Sequence, residues 1–188
     1  MMCWRQRLSH TSVNPGGSLL LLAAQGELGI MADVRDSLDL GDFYHIGIAV
    51  NDIDRGIERL AALGMTAGPV FELLVPSLYR GKRTEAGVKA VFAPLGVIAI
   101  ELVEPTGGES SIATFLHEHG EGVQHFGYRV DDLKSTIERA ETLNIEVEWL
   151  VSDEHGPAVA FLSPDVLFGV NVELVRKQPQ INLQVTMR

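Results

Sequence analysis

From Phe43 the chain runs through eight residues of β-prone, mostly apolar sequence, FYHIGIAV, and its rhythm changes after Asn51-Asp52. Beyond that point Ile53, Ile57, Leu60 and Ala61 recur at helical spacing, so a strand followed by an amphipathic helix is expected, with Asn51-Asp52 supplying the N-cap and Gly64 a left-handed C-cap. The same pattern returns 80 residues later: HFGYRV leads to Asp131-Asp132, then to Leu133, Ile137 and Ala140 at helical spacing, then to Asn144 as the cap. Identical pairs are His45/His125, Gly47/Gly127, Val50/Val130, Asp52/Asp132, Ile57/Ile137, Glu58/Glu138, Arg59/Arg139 and Leu63/Leu143.

After each helix come three strand-like runs, at residues 70–75, 88–93 and 97–103 in the first copy and 146–151, 158–162 and 169–175 in the second. The last runs match again, as Ile100-Glu101-Leu102-Val103 and Val172-Glu173-Leu174-Val175. The chain therefore reads as an internal duplication of a βαβββ module. An α+β fold is expected, in which the two modules form one curved mixed sheet with helices outside and a cleft lined by both halves. The boundaries are residues 41–106 for the first module, 107–121 for a connecting helix stopped by Gly120, 122–177 for the second module, and 178–188 for a tail.

Residues 1–40 stand apart. Met1 to Ile30 carry Arg5, Arg7 and a short apolar run around Leu19 to Ala24, too short and too late after Pro15-Gly16-Gly17 to fit a signal peptide well, so this part is read as a start-codon extension or a disordered arm. No run approaches the roughly 18 apolar residues a membrane span requires. A cytoplasmic protein is expected. The formal net charge of −10 and pI near 5.0 argue against nucleic acid or an anionic membrane surface as the main partner. The single cysteine, Cys3, rules out an intrachain disulfide and a cysteine-based zinc site, so any metal must rest on histidine and carboxylate.

Four positions break the apolar pattern. Strand alternation puts His45 on one face with Gly47 and Ala49, and His125 with Gly127 and Arg129, so each histidine has open space beside it two residues on. Glu101 and Glu173 interrupt otherwise apolar strands at matched places. A lone carboxylate in such a strand costs about several kcal/mol unless a cation or hydrogen bonds compensate it. Two of them, repeated with two histidines, point to a shared divalent ion held by His45, Glu101, His125 and Glu173. Two imidazoles with two carboxylates suit Zn, Ni, Co, Fe or Mn better than Mg or Ca.

Over residues 43–177 this arrangement resembles the vicinal-oxygen-chelate superfamily of glyoxalases, methylmalonyl-CoA epimerases, extradiol dioxygenases and drug-resistance proteins. The stretches HIGIAVNDID, IELVEPTGGESSIATFLHEHGEGVQHFGYRVDD and AFLSPDVLFGVNVELV are most similar to the epimerases. The resemblance implies the same four metal ligands, a homodimer, and an enzyme acting by proton transfer next to a carbonyl of a small carboxylate or acyl thioester, with Glu101 and Glu173 as catalytic groups. A glyoxalase-like lyase, an extradiol dioxygenase and a non-catalytic resistance protein are the alternatives. The chain departs from the epimerases in three places: Lys89 or Ala90 stands where some carry a glutamate base, Gln124-His125 replaces a His-His pair, and Ser163 replaces a histidine before Pro164. The segment Pro76-Ser77-Leu78-Tyr79-Arg80-Gly81-Lys82-Arg83 is longer than an epimerase needs and is expected to form a loop over the cleft, with Arg80 and Lys82, together with Arg129, as contacts for an anionic substrate.

Overall fold

The structure, a computed structural model, describes residues 37–177 and 185–187; the expectations for residues 1–30 lie outside them. The first half runs β1 (Asp42–Ala49), α1 (Ile53–Ala62), β2 (Phe71–Tyr79), β3 (Lys82–Leu95) and β4 (Ile98–Gly107). A connecting helix, α2 (Ser111–His119), leads to β5 (Gly122–Val130), α3 (Leu133–Thr142), β6 (Val147–Asp153), β7 (Gly156–Leu162) and β8 (Asn171–Arg176). In both halves the first strand runs parallel to the last, which pairs antiparallel with the strand before it, and β1 and β5 pair antiparallel where the halves meet.

The helices begin where their side chains cap them. Asp52 accepts from the Arg55 backbone N–H and Asp132 from that of Ser135, each at 3.0 Å, so the same acidic cap starts α1 and α3. Gly64 and Asn144 follow these helices at φ 80° and 56°. On the outer face of the sheet, Ile53 and Leu60 of α1 pack with Val91, Ala93 and Leu102, while Leu133 and Ala140 of α3 pack with Ala160, Leu162, Val172 and Leu174. The other face encloses an apolar core that includes Val75, Val88, Ala90, Val103, Trp149, Val151 and Phe161.

The curved sheet also closes on itself. Its outermost strands also meet, with Ser77, Leu78 and Tyr79 of β2 opposite Val151, Leu150 and Trp149 of β6, so eight strands join into a ring. A ninth short strand, β9 (Val185–Met187), pairs with β2 at Phe71 to Leu73, so the tail adds to the sheet. The expected loop at residues 76–83 is instead the tip of the β2–β3 hairpin. Arg80 and Gly81 both take positive φ, 48° and 74°, the backbone of a two-residue turn whose twist matches the flanking strands. The β-prone run Ser77-Leu78-Tyr79 gains full pairing by continuing β2, and no lid remains.

The β1–β5 seam positions the site. Gly47 lies opposite His125 and Gly127 opposite His45. A Cβ on Gly47 would sit 1.9 to 2.3 Å from His125 ring atoms, and one on Gly127 2.1 to 2.5 Å from those of His45. Each glycine thus makes room for the histidine of the other half rather than for its own. Two bulges accompany this register: Tyr44 is the extra residue between the Phe43 and His45 pairings, and Gln124 the extra residue between those of His125 and Val123. A bulge lets two consecutive side chains depart from strict alternation, so the residue before each histidine can reach the histidine's own surroundings. Gly47→Ala is expected to destabilise the fold by about 1–3 kcal/mol through overpacking against a buried ring, and to displace His125; urea unfolding checks it against Gly107→Ala, where a Cβ meets only open space and stability should hold.

Candidate metal centre

His45, Glu101, His125 and Glu173 come together inside the ring, each with a donor atom within 4.8 Å of the others. The histidines are fully buried and the glutamates are 8 % exposed. His45 Nε2 and His125 Nε2 are 2.8 Å apart. Glu101 Oε2 lies 3.1 Å from the first and 3.0 Å from the second, while Glu173 Oε2 lies 3.1 and 3.7 Å away. Phe92, paired with Glu101 across β3–β4, stands edge-on to His45, and Phe161, paired with Glu173 across β7–β8, edge-on to His125. The two halves build the same wall twice.

These donors fit a cation better than they fit one another. Two imidazole nitrogens face each other together with two carboxylate oxygens, and a ring nitrogen carries at most one proton for all of them. Glu173 Oε2 has no hydrogen-bonding partner despite its closeness to His45. Burial would hold the His45 imidazole below its usual range, but the Glu173 and Glu101 carboxylates outweigh it and push the pKa up to about 10. Burial likewise opposes ionisation of Glu101, yet the His125 and His45 imidazoles beside it hold its carboxyl below the usual carboxylate range. Without a metal, a proton on His45 supplies part of the positive charge this pocket demands. Buried carboxylates, neutral imidazoles and aromatic walls are the donor chemistry of a divalent transition-metal site.

Beside the ligands lies a cavity of about 80 Å³, lined by apolar side chains such as Val75, Val88, Ala90, Ile112 and Trp149, with Glu101, His125 and Glu173 on its wall. Space for about two or three waters suits the reacting end of a small substrate rather than a whole cofactor-sized molecule. Ala90 lines it where an epimerase glutamate was looked for, and Lys89 instead pairs with Glu104 at 2.8 Å. Glu101 and Glu173 are thus the carboxylates of this cavity among the described residues.

The three cations expected at the substrate are not gathered here. Arg80, at the hairpin turn, binds Glu148 at 2.7 Å, and Lys82 is exposed two residues on. Arg129 is also exposed and stacks over the Tyr44 ring at 4.1 Å. His117, His119 and His155 are exposed. Sequence reasoning missed a buried polar group behind His125, made of Gln124, Asn171 and Glu148. Its only signal was polar residues within strands, and Gln124 reads as an ordinary alternating position unless the bulge is known.

Comparison with known proteins agrees with this geometry. Residues 44–164 match the model of the Glyoxalase/Bleomycin resistance protein/Dioxygenase superfamily. The mitochondrial methylmalonyl-CoA epimerase of Dictyostelium discoideum is 36% identical over 150 residues, covering 78% of this chain and 85% of that protein. The human mitochondrial methylmalonyl-CoA epimerase is 32% identical over 142 residues, covering 72% and 74%. Among solved structures, methylmalonyl-CoA epimerase from Mycobacterium tuberculosis superposes with a TM-score of 0.52 at 28% identity, over 76% of this chain and 91% of that one. Sequence, fold and buried donor set agree, and the chain belongs to the glyoxalase/bleomycin resistance protein/dioxygenase superfamily, whose members similar to it over most of their length include methylmalonyl-CoA epimerases.

Proposed function

We propose that the protein is a metal-dependent epimerase acting on the carbon next to the carbonyl of a small acyl-CoA thioester of the methylmalonyl type. The observation that carries this reading is the pair Glu101 and Glu173, one from each half, beside two buried histidines and a small apolar cavity. Epimerisation removes a proton from one face of a carbon and returns one to the other, so it needs a proton-transfer group for each face. Two carboxylates at matched positions meet that need without a third.

His45, Glu101, His125 and Glu173 would hold a divalent transition metal such as Zn, Ni, Co, Fe or Mn, which would supply positive charge to offset the negative charge that develops on a carbonyl oxygen as a neighbouring proton leaves. The chain's own residues do the rest. Glu101 and Glu173 exchange the proton, the aromatic walls Phe92 and Phe161 keep the ligands in place, and Val75, Val88 and Ala90 surround the reacting carbon and keep water from it. No helix among the described residues is long and apolar enough to cross a membrane.

A glyoxalase-like lyase acting on a hemithioacetal is the second reading. Ala90 in place of a separate glutamate base favours it. Deuterium exchange from solvent into the substituted carbon of methylmalonyl-CoA separates the two. The epimerase reading expects exchange with retention of the carbon skeleton, and expects Glu101→Gln and Glu173→Gln each to slow epimerisation by about 10²–10⁴-fold. Turnover of hemithioacetals with no exchange into the thioester would replace it with the lyase.

The proton on His45 gives a second test. Because its folded pKa lies above the ordinary 6.5, the imidazolium stabilises the metal-free fold fully below that value and the contribution is lost as pH rises through about 10. Metal must displace this proton, so affinity should rise by about tenfold per pH unit between roughly pH 7 and 9, with about one proton released on binding. Titration calorimetry in buffers of different ionisation enthalpy reads both; affinity independent of pH with no proton release would contradict the assignment of His45 as a ligand.

A further inference from the structure

The repeat makes His45 and His125 equivalent in sequence, but their second ring nitrogens are not. His45 Nδ1 is buried with no hydrogen-bond partner, and its bulge neighbour Tyr44 presents a ring edge-on at 4.3 Å. His125 Nδ1 lies 2.6 Å from Gln124 Oε1, its own bulge neighbour. Gln124 Nε2 in turn donates to Asn171 Oδ1 at 2.6 Å, and Asn171 Nδ2 donates to Glu148 Oε2 at 3.0 Å. The far oxygen of Glu148 accepts from Arg80 Nη2 at 2.7 Å and Arg80 Nε at 3.1 Å, and the Arg80 backbone N–H donates to the Glu148 carbonyl at 2.7 Å.

The direction of every bond in this chain is forced from its Glu148 end. Asn171 Nδ2 also faces the Leu162 carbonyl at 2.6 Å, and a carboxylate and a carbonyl can only accept, so the Asn171 amide has a single orientation. Asn171 Oδ1 must then accept, which turns Gln124 Nε2 toward it and Gln124 Oε1 toward His125. An amide oxygen opposite His125 Nδ1 requires the proton on Nδ1, which leaves Nε2 with its lone pair aimed at the other three ligands. Gln124, Asn171 and Glu148 are 0 %, 2 % and 5 % exposed, so water does not compete for these groups. A buried polar chain of this length is stabilising only when fully satisfied, and each of its links is.

Resting on the metal-site reading, we propose that Glu148 is a positioning residue that acts through Asn171 and Gln124 to fix the tautomer and orientation of His125, with Arg80 holding the carboxylate in place. Ligating histidines commonly meet a carboxylate directly; here two amides carry its influence across the β5–β8–β6 side of the ring. The two histidines therefore differ behind the site: His125 is pre-set through its Nδ1, whereas the buried Nδ1 of His45 has no hydrogen-bond partner.

The test uses the full chain, first without metal. Imidazole ¹⁵N shifts are expected to show His125 Nδ1 protonated in the wild-type protein, and to show that protonation reduced in Gln124→Leu and Glu148→Gln. Cobalt(II) affinity, measured by competition with a chelator, should fall by about 10–100-fold in Gln124→Leu and about tenfold in Glu148→Gln, with a changed visible spectrum of the bound ion. An unprotonated His125 Nδ1 in the wild-type protein would overturn the proposal, as would folded variants whose cobalt affinity stays within about twofold while only their unfolding temperature drops. If a variant fails to fold, the wild-type ¹⁵N reading decides alone. A wild-type protein that binds no cobalt would remove the metal reading instead, while the tautomer of His125 still decides the direction of the hydrogen-bond chain.

Discussion

Everything in this fold turns on the crossing of two imidazoles at the β1–β5 seam. His45 and His125 lie on adjacent antiparallel strands, each projecting over the glycine of the other, until their Nε2 atoms are 2.8 Å apart. That approach is possible only because Gly47 and Gly127 carry no Cβ, and it fixes the register of the whole molecule. A slip of one residue would set ring against side chain and turn both histidines out of the interior. Glu101 and Glu173 enter from the flanking parallel strands, β4 and β8, at the positions opposite Gly47 and Gly127. The site thus belongs to the pairing pattern and to no single element.

Such a cluster is costly in an apolar interior. Four polar side chains that could each be solvated are instead enclosed by Phe92, Phe161 and an aliphatic core, and burying unpaired charge there costs about several kcal/mol. The rest of the architecture offsets that cost. Helices α1 and α3 cover the outer face with two separate apolar clusters, and the β2–β6 contact closes the sheet into a ring. The surroundings of the two histidines then diverge where function permits: an amide chain reaches from His125 to Glu148, whereas Tyr44 stands beside His45 with Arg129 stacked on it.

Much of this was legible in the sequence because duplication turns weak signals into matched pairs. A histidine in a β-run or a glutamate in an apolar strand means little alone, but the pairs His45/His125 and Glu101/Glu173 sit at corresponding places in two copies, and the structure brings all four within 4.8 Å. The helix caps were readable for the same reason. Features that depend on register were not. Alternation along one strand assigns the space at Gly47 and Gly127 to the histidine of the same strand, while strand pairing gives it to the histidine of the other. Strict alternation sent Gln124 away from His125, and only the bulge brings them together. The basic, turn-prone residues around Arg80-Gly81 look like a longer loop in sequence and mask the β-run Ser77-Leu78-Tyr79 leading into the turn. Closure of the sheet, a contact between strands whose paired residues are 70 to 74 positions apart in sequence, leaves no local pattern to read.

The central claim is that one ion is shared by both halves. It is tested most directly by anomalous diffraction at the metal edge from crystals of protein loaded with zinc or cobalt. The account predicts a single strong peak bounded by His45, Glu101, His125 and Glu173, with both histidines ligating through Nε2. A fully loaded protein with no peak among these four residues, or with its metal held by one half alone, would contradict it.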